Sequence, residues 1–210
     1  VSYAMKQNKK YRFAIKWGEQ TNTDDSEGNI IFRSQKIPQK NEIKKQLLNF
    51  IGVIDQCPPK FSAIKINGKR AYDLSRKNEK FKITSRKVEV LSLKYIKDLN
   101  NCESLFELYC SSGFYVRSFA RDFAILLGSR GHISYLERLE VGFFTLNNTI
   151  LLDDLLKISH LSSRINGFFN SAVVLDDIPA LTVKDEEISD ISMGRKIDIS
   201  HLNQKLLNIF

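Results

Sequence analysis

From Tyr11 to Trp17 the chain alternates, with Tyr11, Phe13, Ile15 and Trp17 on one side and Arg12, Ala14 and Lys16 on the other. That period of two predicts a half-buried strand. A polar stretch from Gly18 to Gly28 contains Thr21-Asn-Thr-Asp-Asp25, and Asn29–Phe32 then resumes as a strand expected to lie antiparallel beside the first. Pro38 opens a helix whose Ile43, Leu47 and Phe50 keep helical spacing, and Gly52 closes it. An Asn67-Gly68 turn signal precedes a short helix over Ala71–Lys77. Two strands are predicted over Lys87–Asp98 and Ser104–Cys110. The small-residue turn Ser111-Ser112-Gly113 then leads into a helix over Phe114–Leu127. Val116, Phe119, Ala120, Phe123, Ala124 and Leu127 form its buried stripe, and Gly128 ends it. Ile133–Phe144 alternates again. This reading puts Leu139, Val141 and Phe143 on the core side and Leu136, Arg138 and Glu140 on the opposite one. A short helix over Leu151–Ile158 carries Asp153 and Asp154 in its first turn, as the helix dipole prefers.

These elements predict an α/β (α+β) fold: a mixed, mainly antiparallel sheet with helices packed on it. Residues 1–158 form the main domain and 159–170 a polar linker. Residues 171–210 hold Val173–Pro179, a helix near Asp185–Met193 and Gly194, which is too little chain for a core of its own. This last part reads as an incomplete C-terminal domain. Val1 in place of Met, and the apolar close at Leu206–Phe210, read as cut edges of a longer protein.

Composition narrows the class. The 210 residues are 42% hydrophobic and 27% charged, ordinary for a globular protein. No apolar run reaches membrane-spanning length and no signal-peptide pattern opens the chain. Cys57, Cys102 and Cys110 are odd in number and lack metal spacing, which fits a reducing compartment with Cys110 in the core. His132, His160 and His201 pair with no Cys or carboxylate at ligand spacing, so no metal site is expected. The net charge of +8 favours a polyanionic partner, nucleic acid first. Lys60, Lys65, Lys69, Arg70, Arg76 and Lys77 cluster around Phe61 and Tyr72, as in an RNA-facing loop.

The sharpest local signal is Arg117. A guanidinium in the first turn of a helix opposes the dipole, so it serves an anionic partner: a carboxylate, a phosphate, or both. Arg121 lies one turn further on the same face and can act with it.

Four segments, in order, carry a resemblance. They are Lys10-Tyr-Arg-Phe with Trp17-Gly-Glu-Gln-Thr-Asn-Thr-Asp-Asp-Ser-Glu-Gly28; Gln56-Cys-Pro-Pro-Lys-Phe-Ser-Ala-Ile-Lys-Ile-Asn-Gly-Lys-Arg-Ala-Tyr72; Cys110-Ser-Ser-Gly-Phe-Tyr-Val-Arg-Ser-Phe-Ala-Arg-Asp122; and His132-Ile-Ser-Tyr-Leu-Glu-Arg-Leu-Glu-Val-Gly142. Over roughly residues 1–155 the chain resembles the bacterial tRNA pseudouridine synthase B (TruB) family, which isomerises the T-loop uridine at tRNA position 55 to pseudouridine. The resemblance implies a pseudouridine-synthase-like fold with 52–80 as an insertion that grips RNA. It implies that Tyr11 packs against the target base, that Tyr115 and Arg117 line the uracil site, and that Leu136 touches the base pocket. It makes Lys60, Lys65, Lys69 and Arg70 contacts to the T arm of tRNA. No cofactor, no metal and no membrane partner are implied, and the setting is a cytoplasmic, monomeric enzyme of tRNA modification.

The chain departs from the family at one decisive place. The family's nucleophilic Asp sits in a Gly-Gly-x-Leu-Asp-Pro motif before the Lys-Tyr-Arg strand, and the resemblance implies that Arg117 pairs with it. Leu152-Asp153 and Leu175-Asp176 are followed by Asp, and both come too late. The nucleophile is therefore expected upstream of Val1, and the chain alone is expected to be inactive. Asp24 and Asp25 are not taken for it, because their run matches a different family segment. Asn22 replaces a usual Asp, and Phe114 a usual Thr. Two other readings fit the charge: a non-catalytic tRNA-binding or folding module, and a basic structural protein.

Overall fold

The computed structural model describes residues 5–77, 79–157, 169–170, 173–174 and 183–197. The chain divides into two compact units, Val1–Gly167 and Phe168–Phe210. Most of the expected linker, and much of 171–210, lies outside the described residues. In the second unit one helix, α5 (Asp185–Ser192), opens with three acidic residues and ends before Gly194, whose φ of +69° suits a helix end.

In the first unit the elements run β1 (Lys9–Trp17), β2 (Glu19–Thr21), β3 (Ile30–Arg33), α1 (Lys40–Leu47), β4 (Gly52–Gln56), β5 (Lys65–Ile66), β6 (Lys69–Arg70), α2 (Ala71–Arg76), β7 (Arg86–Asn100), β8 (Glu103–Cys110), α3 (Val116–Leu126), β9 (Gly131–Val141), β10 (Phe144–Thr145) and α4 (Leu152–Lys157). Six strands form one sheet in the order β10-β9-β1-β8-β7-β4, and every neighbouring pair in it is antiparallel. The expected α/β class with a mainly antiparallel sheet is what the structure shows.

One pairing differs from the sequence expectation. The strand after the polar stretch, β3, pairs with β2 in a separate two-stranded sheet and not with β1. Gly18, at φ +89°, turns the chain out of β1 into β2, and β1 spends both of its edges on β8 and β9. An alternating strand flanked on both sides has no edge left for its neighbour in sequence.

α3 packs across the sheet with its apolar stripe inward. Phe119 and Phe123 are buried and stack on each other at 5.1 Å. Phe119 also meets Phe13 edge-on at 5.8 Å, and Phe50 at 5.1 Å. The opposite sheet face is polar, with Lys10 bridged to Glu107 and Glu140 and Arg12 to Glu107. Cys57, Cys102 and Cys110 are free. Burial pushes the Cys110 thiol up to about 12, so it remains an unreactive core thiol.

β9 corrects a second expectation. Its ladder with β1 skips Ser134 and Leu139: Ile15 faces Ile133, Phe13 faces Leu136, and Tyr11 faces Arg138. Each extra residue resets which side the following chain presents. Leu136 and Arg138 therefore stand on the face of Phe13 and Tyr11, where strict alternation puts them opposite the core. Leu136 remains 47% exposed on that face.

Candidate active site

The turn after β8 begins the site. Gly113 takes φ +88°, Tyr115 stays extended, and the helix starts at Val116, two residues later than the apolar spacing predicts. Arg117 is thus in the first turn, as expected, and its anion is on hand. Its Nη1 donates to Asp25 Oδ2 at 3.0 Å and to the Thr23 carbonyl at 3.2 Å, and its Nη2 donates to the Phe61 carbonyl at 3.0 Å. A charge-assisted pair flanked by carbonyls offsets the unfavourable end of the helix dipole. Three of the five guanidinium N–H groups are used among the described residues.

Arg121 takes a separate carboxylate. Its Nη1 lies 2.9 Å from Asp24 Oδ2, its Nε binds Asp122 at 2.8 Å, and its Nη2 donates to the Cys57 carbonyl at 3.1 Å. The two arginines do not converge on one group; they pin adjacent residues of one loop. Burial pushes the Asp24 carboxyl above the ordinary carboxylate range, and the Arg121 guanidinium pulls it partway back.

That loop is also tied to the sheet. The Ile133 N–H donates to the Asp24 carbonyl at 3.0 Å, and Ser26 Oγ donates to the Ile133 carbonyl at 3.1 Å. Inside the loop, Asp25 Oδ1 accepts the Thr23 hydroxyl and, at 3.2 Å, the Glu27 N–H. Both oxygens of Asp25 are thus engaged. It has the form of a clamp, with Oδ2 on Arg117 and Oδ1 on its own loop.

Tyr11 is half-buried at the edge of the core. Burial raises its phenol, with Arg138 opposing, so it stays an uncharged ring and hydroxyl at neutral pH. Leu136 lies two cross-strand pairs further along, on the same face, opposite Phe13. Arg117 reaches the same strand through Asp25, which bridges Ile133. Tyr115 precedes α3 with its ring under Arg86 at 5.1 Å.

Lys65, Lys69 and Arg70 stand on the β5–β6 hairpin, where Lys65 pairs with Arg70 across an Asn67-Gly68 turn with φ of +49° and +83°. These three residues and Lys60 are exposed. Tyr72 lies between Arg70 and Arg76, at 5.9 and 5.6 Å from the two guanidinium carbons. Lys60 and Phe61 also line, with Asp24, Arg121 and Phe32, a cleft of ≈ 600 Å³. Tyr11, Tyr115, Arg117 and Leu136 do not line this cleft; it lies beside the arginine clamp. Among the described residues no His, Cys, Asp or Glu cluster has the form of a metal site, and no helix is long and apolar enough to cross a membrane.

Sequence reasoning missed three residues that build this region: Asp25 as the partner of Arg117, and Gln56 and Arg86, which hold Tyr115. The Asp-Asp pair was visible, but nothing local to it points to a helix 92 residues away.

Comparison with known proteins identifies the family. Residues 1–116 match the family model described as TruB family pseudouridylate synthase (N terminal domain). A protein named tRNA pseudouridine synthase B from Ehrlichia chaffeensis is 40% identical over 205 residues, covering 96% of this chain and 69% of its own length. Its namesake from Caulobacter sp. is 40% identical, covering 94% of this chain and 64% of its own length. The one from Bartonella henselae is 47% identical over 187 residues, covering 87% of this chain and 59% of its own length. The chain therefore spans only part of the relatives it matches. Among solved structures, a chain of a Cbf5-Nop10-Gar1 complex superposes with a TM-score of 0.52 at 22% identity, covering 74% of this chain and 37% of that one. That likeness speaks for the fold.

Proposed function

The chain belongs to the TruB family of pseudouridylate synthases, and from that premise we propose that it isomerises the T-loop uridine of tRNA, position 55, to pseudouridine. The reaction breaks the N1–C1′ glycosidic bond, turns the uracil and joins C5 to C1′. The C5 proton is lost and N1 regains one, so nothing is consumed. The target nucleotide must leave its stack to be reached.

In this reading Tyr11 offers a face to the flipped base, a contact of about 1–3 kcal/mol. Tyr115 and Arg117 line the uracil, and Tyr115 takes the proton from C5. Leu136 closes the pocket on the apolar side. Lys60, Lys65, Lys69 and Arg70 hold the T arm through its phosphates, which positions the RNA without reading sequence. The substrate puts the work in the cytoplasm, and the enzyme acts as a monomer. Because the 210 residues contain no Gly-Gly-x-Leu-Asp-Pro segment and Asp25 is engaged at both oxygens, the reading assigns this chain the walls of the site and leaves the nucleophile unassigned within it.

The observation that carries the proposal is the Arg117 clamp. A first-turn guanidinium is fixed by Asp25, Thr23 and Phe61, with donors to spare for a base or a second carboxylate. The test is release of tritium from a tRNA transcript labelled at uridine C5. The full-length protein is expected to release one equivalent, and none when the T-loop uridine is replaced by cytidine. The 210-residue chain alone is expected to bind the transcript and release nothing. Tight binding by the full-length protein without release would make it an RNA-binding module. Release by the chain alone would place a working carboxylate within it.

A further inference from the structure

β4 ends at Gln56 and β7 begins at Arg86, and these two residues face each other across the ladder. The chain between them, 57–85, leaves the sheet and returns, so both necks of the insertion pass through this one pair. Both residues reach over to the turn before α3.

Gln56 is 2% exposed, and its amide is spent on the Tyr115 backbone. Its Oε1 accepts the Tyr115 N–H at 2.7 Å, and its Nε2 donates to the Tyr115 carbonyl at 3.1 Å. Two such bonds do for Tyr115 what a strand partner would do: they satisfy both backbone groups and fix the residue's orientation. They hold it extended just before the helix, where a cap is needed.

Arg86 takes the ring. Its guanidinium carbon lies 5.1 Å from the centre of the Tyr115 ring, and its Nη2 donates to the Gly113 carbonyl at 2.7 Å. Arg86 is exposed, yet its side chain bends back onto the turn. A planar guanidinium stacks on a phenol and bonds a carbonyl at once; an ammonium does not. Gly113 keeps φ +88°, and a Cβ there would sit 3.6 Å from the Arg86 guanidinium carbon. The turn is bare where Arg86 lies across it.

We infer that Gln56 and Arg86 are positioning residues for the isomerisation, Gln56 fixing the Tyr115 backbone and Arg86 the plane of its ring. The inference rests on the reading that Tyr115 lines the uracil site. Neither residue touches the base in this scheme; each acts through Tyr115.

The test measures single-turnover pseudouridine formation at saturating tRNA, with tRNA affinity measured separately, in the full-length protein. Arg86→Gln is expected to slow the step by about tenfold or more, as misplacement of a reacting group does, while affinity for tRNA stays nearly unchanged. Arg86→Lys restores part of the rate. Arg86→Gln combined with Tyr115→Phe is no slower than Tyr115→Phe alone, because two residues acting through one group are not additive. Gln56→Glu keeps the acceptor for the Tyr115 N–H and loses the donor to its carbonyl. It is expected to slow the step in the same way, and it serves as the second probe if Arg86→Gln lowers the melting temperature.

A normal rate for Arg86→Gln, with weaker binding and a salt slope smaller by about one, would make Arg86 a phosphate contact and overturn the inference. Multiplying losses in the double variant would overturn it too. If Tyr115→Phe is slow and Arg86→Gln is not, the inference fails alone. If Tyr115→Phe runs at the normal rate, the reading of the uracil site fails and takes the inference with it.

Discussion

Arg117 sits where its own helix least favours a positive charge, and three acceptors from two other parts of the chain keep it there. The need for an anion was legible, because a cation in a first turn opposes the dipole. The identity of the anion was not, since Asp25 becomes a neighbour only once β9 and α3 fold around the loop. The same holds for Leu136, whose side of the sheet depends on the skipped Ser134, which no alternation reveals. The pair predicts a graded outcome. Asp25→Asn keeps the shape and one acceptor but removes the charge that orients Arg117. It should lower turnover less than Arg117→Ala, which removes the guanidinium itself by the proposed role. Both should leave tRNA affinity nearly unchanged in filter binding. Equal loss of affinity and turnover for Arg117→Ala would instead make it a clamp on RNA.

Among the elements, α3 was read nearly whole, because one face must be buried and its apolar residues recur at helical spacing. Only its start was misjudged: Phe114 is apolar and buried, but Gln56 holds Tyr115 extended and delays the first turn to Val116. β4 was missed because five residues beginning with Gly52 show no decisive period; they become a strand by pairing with β7. The helix predicts a sharp contrast in stability. Phe119 is buried against Phe13, Phe50, Phe114 and Phe123. Phe119→Ala should cost about 3–5 kcal/mol in urea unfolding. Ile125 is 48% exposed on the same helix, and Ile125→Ala should stay within about 1 kcal/mol. Similar losses at both would show that the stripe is not the face that packs.

Across the whole molecule the charge of +8 is not spread evenly in its consequences. On the outer sheet face Lys10 and Arg12 are answered by Glu107 and Glu140. On the β5–β6 hairpin, Lys65, Lys69 and Arg70 are exposed, and no carboxylate pairs with them among the described residues. Charge that is locally neutralised adds little to attraction at a distance, whereas an unanswered basic hairpin displaces counterions from RNA. Changing Lys65, Lys69 and Arg70 together to Gln should weaken binding of every tRNA alike. The slope of log affinity against log salt should fall by about 2–3, roughly 0.7–0.9 for each phosphate that the hairpin no longer neutralises. Turnover at saturating tRNA should be preserved if, as proposed, the hairpin only positions the substrate and the clamp around Arg117 acts on it. An unchanged slope would mean that the hairpin makes no phosphate contact. A loss of saturated turnover would mean that the hairpin also shapes the site, through the same insertion whose necks hold Tyr115.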